Sequence, residues 1–484
     1  VPDLHLAIGG LDLFVLVAYL VGSIGLGLWV GRGQKNLSDY MLGGRDLPWW
    51  SVLGSIVATE TSTVSFLSVP GLAYRGDLRF LQLPLGYVIG RLLVVVLLLP
   101  HYFRGEMYSA YEVLNRRFGG SVRQVASLLF LVTRTLGDGL RLYLTAIPVQ
   151  LVTGLNLSVS VAIVGLTSIA YTCFGGIKSV VWTDCLQFAT YVAGAVVAAA
   201  MLLHGLPGGW HELTTYAAAH DKFRMFDTSF DLTQVETLWA GVIGGTFVSL
   251  ATHGADQMMV QRYLCARSQR AAAWALGLSG IVVLAQFALF QLIGVGLACF
   301  YDRFPPDAPF AKTDDVFAAF IVHHLPSGMV GLTLAAIFAA AMSGSLNSSA
   351  AAVMNDFYLP RCPQPPSSER QLLLGRALSV FFGIAQIAVG IAAQRRSQQV
   401  INEAMAIAGF TTGVILGVFF LGIFPVRATR RGALAGLLVG LGVMTWVAFA
   451  TELAWPWYTL TGASTTFFSG IIASYLLPEP VAEP

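Results

Sequence analysis

Charge is what this sequence has least of. Aspartate, glutamate, lysine and arginine together make up 11% of its 484 residues, against roughly 25% in soluble domains. A water-soluble globule of this length would lack the polar side chains to cover its surface. The chain also has no Walker-type GxxxxGK[ST] loop, no HExxH and no nucleophile–base pair at readable spacing. ATP coupling, metalloprotease chemistry and enzymatic function in general are therefore without support. The five cysteines (Cys173, Cys185, Cys265, Cys299, Cys362) stand singly, without metal or redox spacing, and read as small packing residues. A formal net charge of +2 gives no pointer to nucleic acid. No basic stretch precedes the first apolar run, so that run reads as a helix that directs insertion and not as a cleaved signal.

What the sequence does have is hydrophobic length. Mean hydropathy is +0.70 and 56% of residues are hydrophobic. Thirteen apolar segments follow one another, at about 9–31, 48–76, 78–103, 119–152, 156–174, 181–204, 236–263, 271–300, 326–357, 371–394, 401–424, 431–450 and 456–477. Runs of about 20 residues predict membrane-spanning helices, whereas a barrel would show segments of about 10 with strict alternation. The expected fold is an all-α polytopic membrane protein of about 13 transmembrane helices in a single domain, 1–484. Lysine and arginine favour, by roughly two to one, the loops that are internal if the N-terminus is outside and the C-terminus cytoplasmic.

The segments allow two halves of five, 48–204 and 236–424, with 9–31, 431–450 and 456–477 peripheral. The first segment of each half is unusual. One reads ATETSTVSFLSVPG at 58–71, rich in hydroxyls with a carboxylate and a Pro-Gly; the other reads GGTFVSLATHGADQ at 244–257. Interrupted segments at matching places in two halves are the sequence sign of a transporter site, because unwound backbone offers carbonyls to a cation and helix ends to an anion.

Ionisable groups at membrane depth are costly and usually face a cavity or a partner. Glu60, Arg134, Asp138, Arg141, Asp184 and His253 qualify, with Arg91 a seventh. Glu60, among Thr61, Ser62, Thr63 and Ser65, serves a cation, a proton or a cationic solute group, or else pairs with a buried arginine. Arg134, Asp138 and Arg141 share one helix face at i, i+4 and i+7. Their surplus positive charge meets an anionic solute, or is closed by Glu60 in a network that locks helices. Asp184 is a second cation ligand or gate residue, or a helix-end carboxylate beside Lys178. His253 titrates near neutrality or is a satisfied packing residue. The small-residue stretch 339–358 brings Ser343, Ser345, Asn347, Ser348 and Ser349 onto one helix, where close helix packing alone is a sufficient reason for it.

Seven motifs, in this order, carry a resemblance: YMLGGRDLPWW at 40–50, VPGLAYRGDLRFL at 69–81, YEVLNRRFG at 111–119, YTCFGGIKSVVWTDCLQ at 171–187, GADQMMVQRYL at 254–264, LNSSAAAVMNDFY at 346–358 and GFTTGVILGVFFLGIFP at 409–425. Over about residues 10–450 the chain resembles the sodium:solute symporter family, and within it the branch of iodide, monocarboxylate and vitamin symporters and bacterial members. The resemblance implies a LeuT-type inverted repeat of five plus five helices, with one extra helix before and two after. It implies alternating access driven by an ion gradient. The main sodium site would use the carbonyls of Ala58 and Thr61 with hydroxyls of core helix 8, here Ser343 and Ser345. Glu60 would stand where proline-type members carry an aspartate, and Asp184 would match an aspartate that serves an additional sodium in some members. The solute would lie between core helices 1, 2, 3, 6 and 10, lined by Ser62, Ser65, Phe66, Gln82, Arg134, Gly137, Asp138, Arg141, Phe247 and Met405. Gly137 falls where sialic-acid members place an arginine.

Core helix 8 departs from the pattern. The hydroxyl pair of many relatives falls on Ala340-Ala341 when anchored downstream and on Ser343-Gly344 when anchored upstream, so at most one hydroxyl survives. The two anchorings differ by three residues, which is about 300° of helix. The sodium site is then remodelled, with Glu60 replacing ligands or carrying a proton. The expected function is a cation-coupled, sodium-driven symporter of a small, carboxylate-bearing organic solute in the inner (plasma) membrane. The alternatives are a proton-coupled or uncoupled carrier, and a non-transporting sensor, which would carry a long C-terminal signalling domain where this chain ends at LPEPVAEP. No cofactor beyond Na+ or H+ is expected, and no partner beyond solute, cation and bilayer: no nucleic acid and no obligatory protein.

Overall fold

The computed structural model describes residues 9–61, 63–105, 107–306, 309–310, 312–342, 345–395 and 398–477. Among them the chain is helical, with a single isolated parallel bridge between Leu47 and Ala266. That is what a bilayer demands of apolar sequence, since every backbone N–H and C=O must be satisfied within the segment. Up to residue 205 the chain forms α1 (Gly10–Val30), α2 (Trp49–Glu60), α3 (Thr63–Arg75), α4 (Arg79–Tyr102), α5 (Gly120–Thr153) and α6 (Leu157–Gly205). There follow α7 (Gly245–Gly254), α8 (Gln257–Leu264), α9 (Gln269–Arg303), α10 (Met329–Met342), α11 (Leu346–Ala352), α12 (Ser368–Ala393) and α13 (Gln398–Ile423). Two further helices, α14 (Arg430–Ala450) and α15 (Pro456–Leu476), pair with each other, and α13 rests on α15. Six described helices are long and apolar enough to cross a membrane, and α2 with α3 make a seventh span bent by 62°.

Helix α6 covers two of the expected segments in one element of 49 residues. At 1.5 Å per residue it would be more than twice the thickness of a bilayer core, so it has to turn. It does so at Gly176, whose φ of 56° and ψ of −157° are non-helical. A Cβ there would lie 2.8 Å from the Tyr40 ring and 3.0 Å from the Gln34 amide, so both the conformation and the space require glycine.

The two breaks expected from sequence are present. Helix α2 ends at Glu60 and Thr61 is extended (φ −79°, ψ 113°). Helix α7 ends at Gly254, Ala255 leaves the helix, and Asp256 caps α8 by accepting the Met258 N–H at 2.8 Å. The start of α2 is tied to the end of α8 through Leu47, which donates to Cys265 O at 3.1 Å and accepts from Arg267 at 3.3 Å. One apolar cluster joins α2, α4, α5, α7, α8, α11 and α13, and a second joins α3, α6, α9 and α10. Arg123 and Arg262, which the loop count treats as surface charges, are both buried, so the charge asymmetry rests on the remaining cations.

Candidate functional site

At the first break the Thr61 hydroxyl donates to Val57 O at 3.0 Å and accepts from Gln286 Nε2 at 2.8 Å. Tyr191 links to the same pair at 3.3 Å. Ala58 and Thr61 therefore lie at a helix C-terminus, where carbonyls lack helical partners and the dipole favours a cation. Glu60 does not reach the arginines of α5. It forms an ion pair with Arg91 of α4, and its carboxylate lies 3.8 Å from His253 Nε2 of α7. Arg91 is completely buried and also donates to that His253 nitrogen, at 3.2 and 3.1 Å. The closed network expected for Glu60 with Arg134, Asp138 and Arg141 is thus replaced by one with Arg91 and His253. The reason is topological: α4 and α7 cross directly beside the break.

At the second break Asp256 supplies the charge expected of Glu60. It forms an ion pair with Arg134, which also lies 3.7 Å from Asp138. Asp138 in turn accepts from the Ser345 hydroxyl at 2.5 Å and the Ser345 N–H at 3.2 Å, and Gln386 donates to the same hydroxyl at 3.1 Å. Arg141 makes no hydrogen bond or ion pair among the described residues. It opens into a cavity of about 430 Å³. Arg134, Gly137, Asp138 and Arg141 line it from α5, and Val248, Thr252, Ala255 and Asp256 from the second break. Two tyrosine hydroxyls close the carbonyls at the end of α7: Tyr102 donates to Gly254 O and Tyr263 to His253 O.

Asp184 is fully buried beside α2 and α8. It accepts from Ser55 at 2.5 Å and Thr59 at 3.4 Å, and pairs with Arg262 at 3.2 Å; Lys178 is not its partner. Arg262 also donates to Ser55 Oγ and to Met258 O. The other Asp184 oxygen, Oδ1, has no partner among the described residues. Asp256 and Arg262 are the charged partners that the sequence does not single out. Both stand in GADQMMVQRYL, at the end of an apolar segment, where charge reads as loop.

Other expected residues lie elsewhere. Gln82 is buried near the start of α4; its amide donates to Arg79 O and Glu236 O, and its oxygen accepts from the Asp227 N–H at 3.1 Å. Arg79 pairs with Asp77 at 2.8 Å and with Asp227 at 3.1 Å. The Asp227 carboxyl is held down at about 2, first by the hydroxyl and N–H of Ser229 and then by Arg79 and Arg224. Phe66 is enclosed by Phe290 and Phe317, Ser65 is half-buried on α3, and Phe247 packs on the larger apolar cluster. None of these four lines the cavity. Ser62, Ser343 and the side chain of Met405 lie outside the described residues, as do the side chains of Ala340 and Ala341.

Comparison with known proteins agrees with this architecture. The model of the sodium:solute symporter family matches residues 40–440. The chain is 32% identical to the human sodium/iodide cotransporter over 93% of its own length and 71% of that protein. It is 29% identical to the sodium/sialic acid symporter of Proteus mirabilis, over 97% and 95%. It is 30% identical to sodium-coupled monocarboxylate transporter 2 of Bos taurus, over 90% and 72%. Among solved structures, the substrate-bound outward-open state of a Na+-coupled sialic acid symporter superposes with a TM-score of 0.89 at 29% identity, covering 97% of this chain and 98% of that one. The nucleobase-cation-symport-1 transporter Mhp1, in a closed conformation, matches at 0.57 and 12% identity over 91% and 95%, which is a likeness of fold, the LeuT type. The chain is therefore a multi-pass membrane transporter, not an enzyme, and belongs to the sodium:solute symporter family.

Proposed function

We propose that this chain is a sodium-driven symporter of a small organic anion, working by alternating access. The observation that carries the anion is Arg141. It is the one cation of the cavity with no ion pair among the described residues, while Arg134 is taken up by Asp256 and Asp138. An arginine fork in a cavity of low polarity suits a carboxylate. The relatives named above carry iodide, sialic acid and monocarboxylates, all anions, with sodium. In this reading the sodium sits at the C-terminus of α2 on the carbonyls of Ala58 and Thr61. Glu60 is already balanced by Arg91 and Ser345 is engaged by Asp138, so backbone oxygen carries more of the ion's coordination than side chains do. Asp184 with Arg262 is a second charged station beneath it. The proton alternative gains nothing from the relatives, whose names are all sodium-coupled.

In the same reading all thirteen apolar segments cross the plasma membrane, with the N-terminus outside and the C-terminus inside. The test is uptake of a panel of radiolabelled carboxylates into proteoliposomes. Replacing external sodium by choline lowers uptake at least tenfold. Arg141→Gln weakens a carboxylate more than its neutral amide analogue. Uptake indifferent to sodium, or equal losses for acid and amide, would overturn the proposal.

A further inference from the structure

The cavity has a wall that the ten-helix repeat does not supply. Trp455, at the N-cap of α15, and Tyr458 and Thr459 within it line the same space as Arg141. We infer that α15, a peripheral helix, forms part of the solute site, and that Trp455 and Tyr458 select an anion with a flat apolar body. This rests on the reading of the cavity as the solute site.

Three observations fix the wall in place. The Ala454 N–H donates to Leu232 O at 2.8 Å, anchoring the start of α15 to the 220–237 loop. Trp457 packs with Ala240 and Ala454 at the head of the second broken span. Gly413 of α13 faces the backbone of α15 so closely that a Cβ there would lie 2.8 Å from Thr459 Cα. A helix held at three points does not behave as a loose flap, and its aromatic side chains are presented in one geometry.

The chemistry of the remaining wall sets the class of solute. Arg134, Asp138 and Asp256 satisfy one another or Ser345. The Thr133 and Thr412 hydroxyls donate to carbonyls of their own helices. Arg141 is left as a free cation in a cavity also lined by Phe130, Val248, Ile415, Trp455 and Tyr458. Tyr111, Thr252, Tyr458 and Thr459 add hydroxyls to the same wall, beside its apolar face. A body with a π-face would lie on Trp455 or Tyr458, where an aromatic contact adds affinity.

The test is equilibrium binding of benzoate, acetate and iodide to the purified full-length protein in sodium chloride. Benzoate binds more tightly than acetate or iodide. Trp455→Ala and Tyr458→Ala each weaken benzoate about three- to tenfold and leave acetate unchanged, while Tyr458→Phe keeps benzoate affinity and controls for folding. Arg141→Met abolishes binding of benzoate and acetate alike. If Arg141→Met acts as stated but both aromatic truncations bind benzoate as the parent does, α15 is no part of the site and the cavity reading stands. If Arg141→Met changes nothing, the cavity reading itself fails. A parent protein that ignores benzoate, or binds iodide or acetate as tightly, overturns the solute class.

Discussion

Arg91, Glu60 and His253 show how one residue's chemistry constrains its neighbours. Arginine only donates hydrogen bonds, so the His253 nitrogen that meets its Nε and Nη2 accepts, which assigns the histidine proton to Nδ1 and leaves the ring neutral. The trio is then one anion, one cation and one neutral ring. Glu60→Gln removes the anion and strands a fully buried guanidinium. Breaking a buried pair in this way costs about 3–5 kcal/mol, whereas replacing both partners by apolar groups is near neutral. Denaturant or thermal unfolding in detergent should show a large loss for Glu60→Gln and recovery in Glu60→Leu/Arg91→Met. A single variant as stable as the parent would mean that the pair does not hold these helices together.

At the scale of elements, the two broken spans are alike in outline and different in what they leave free. The end of α7 has its carbonyls closed by Tyr102 and Tyr263, and its partner α8 begins with an aspartate. Among the described residues, no tyrosine caps the carbonyl of Ala58 or Thr61 at the end of α2. In the proposed reading the cation sits at the first break, and the second break holds its charge in the Arg134–Asp256 pair. The turn of α6 is the other element-level device. Gly176→Ala puts a Cβ into a left-handed position and against Tyr40. The backbone strain alone is about 1–3 kcal/mol. A fall in melting temperature of several degrees is expected, and an unchanged value would show that the turn relaxes without cost.

At the scale of the whole molecule, the 220–237 loop ties the segments on either side of it together. Gln82, Arg79 and Asp77 stand before it in the chain, while Asp227 and Glu236 lie within it. The Asp227 carboxyl titrates at about 2 in the fold, below the value near 3.9 of an unfolded chain. Its contribution is therefore complete above about pH 4 and is lost as pH falls towards 2. Protease cleavage of the 220–237 loop should be the same at pH 5 and pH 7 and faster at either pH in Asp227→Asn. Faster cleavage at pH 5 in the parent protein would show that another group controls the strap.

The sequence by itself determined that the chain spans a membrane, where its helices run, and which two of them break. Length, hydropathy and small polar runs such as 58–71 are local properties, and the backbone must satisfy itself segment by segment in lipid. It also identified most of the buried ionisable groups, because charge inside an apolar run stands out. Only the tertiary structure decided who meets whom. Arg134 and Asp256 are 122 residues apart in the chain and Asp184 and Arg262 are 78 apart; periodicity gives the face of a helix but not the helix opposite it. Gln82 looked like a solute ligand and instead holds a loop, and α15 looked peripheral and instead walls a cavity. Both outcomes depend on helix crossings, which are set by packing between distant segments and leave no trace in local sequence.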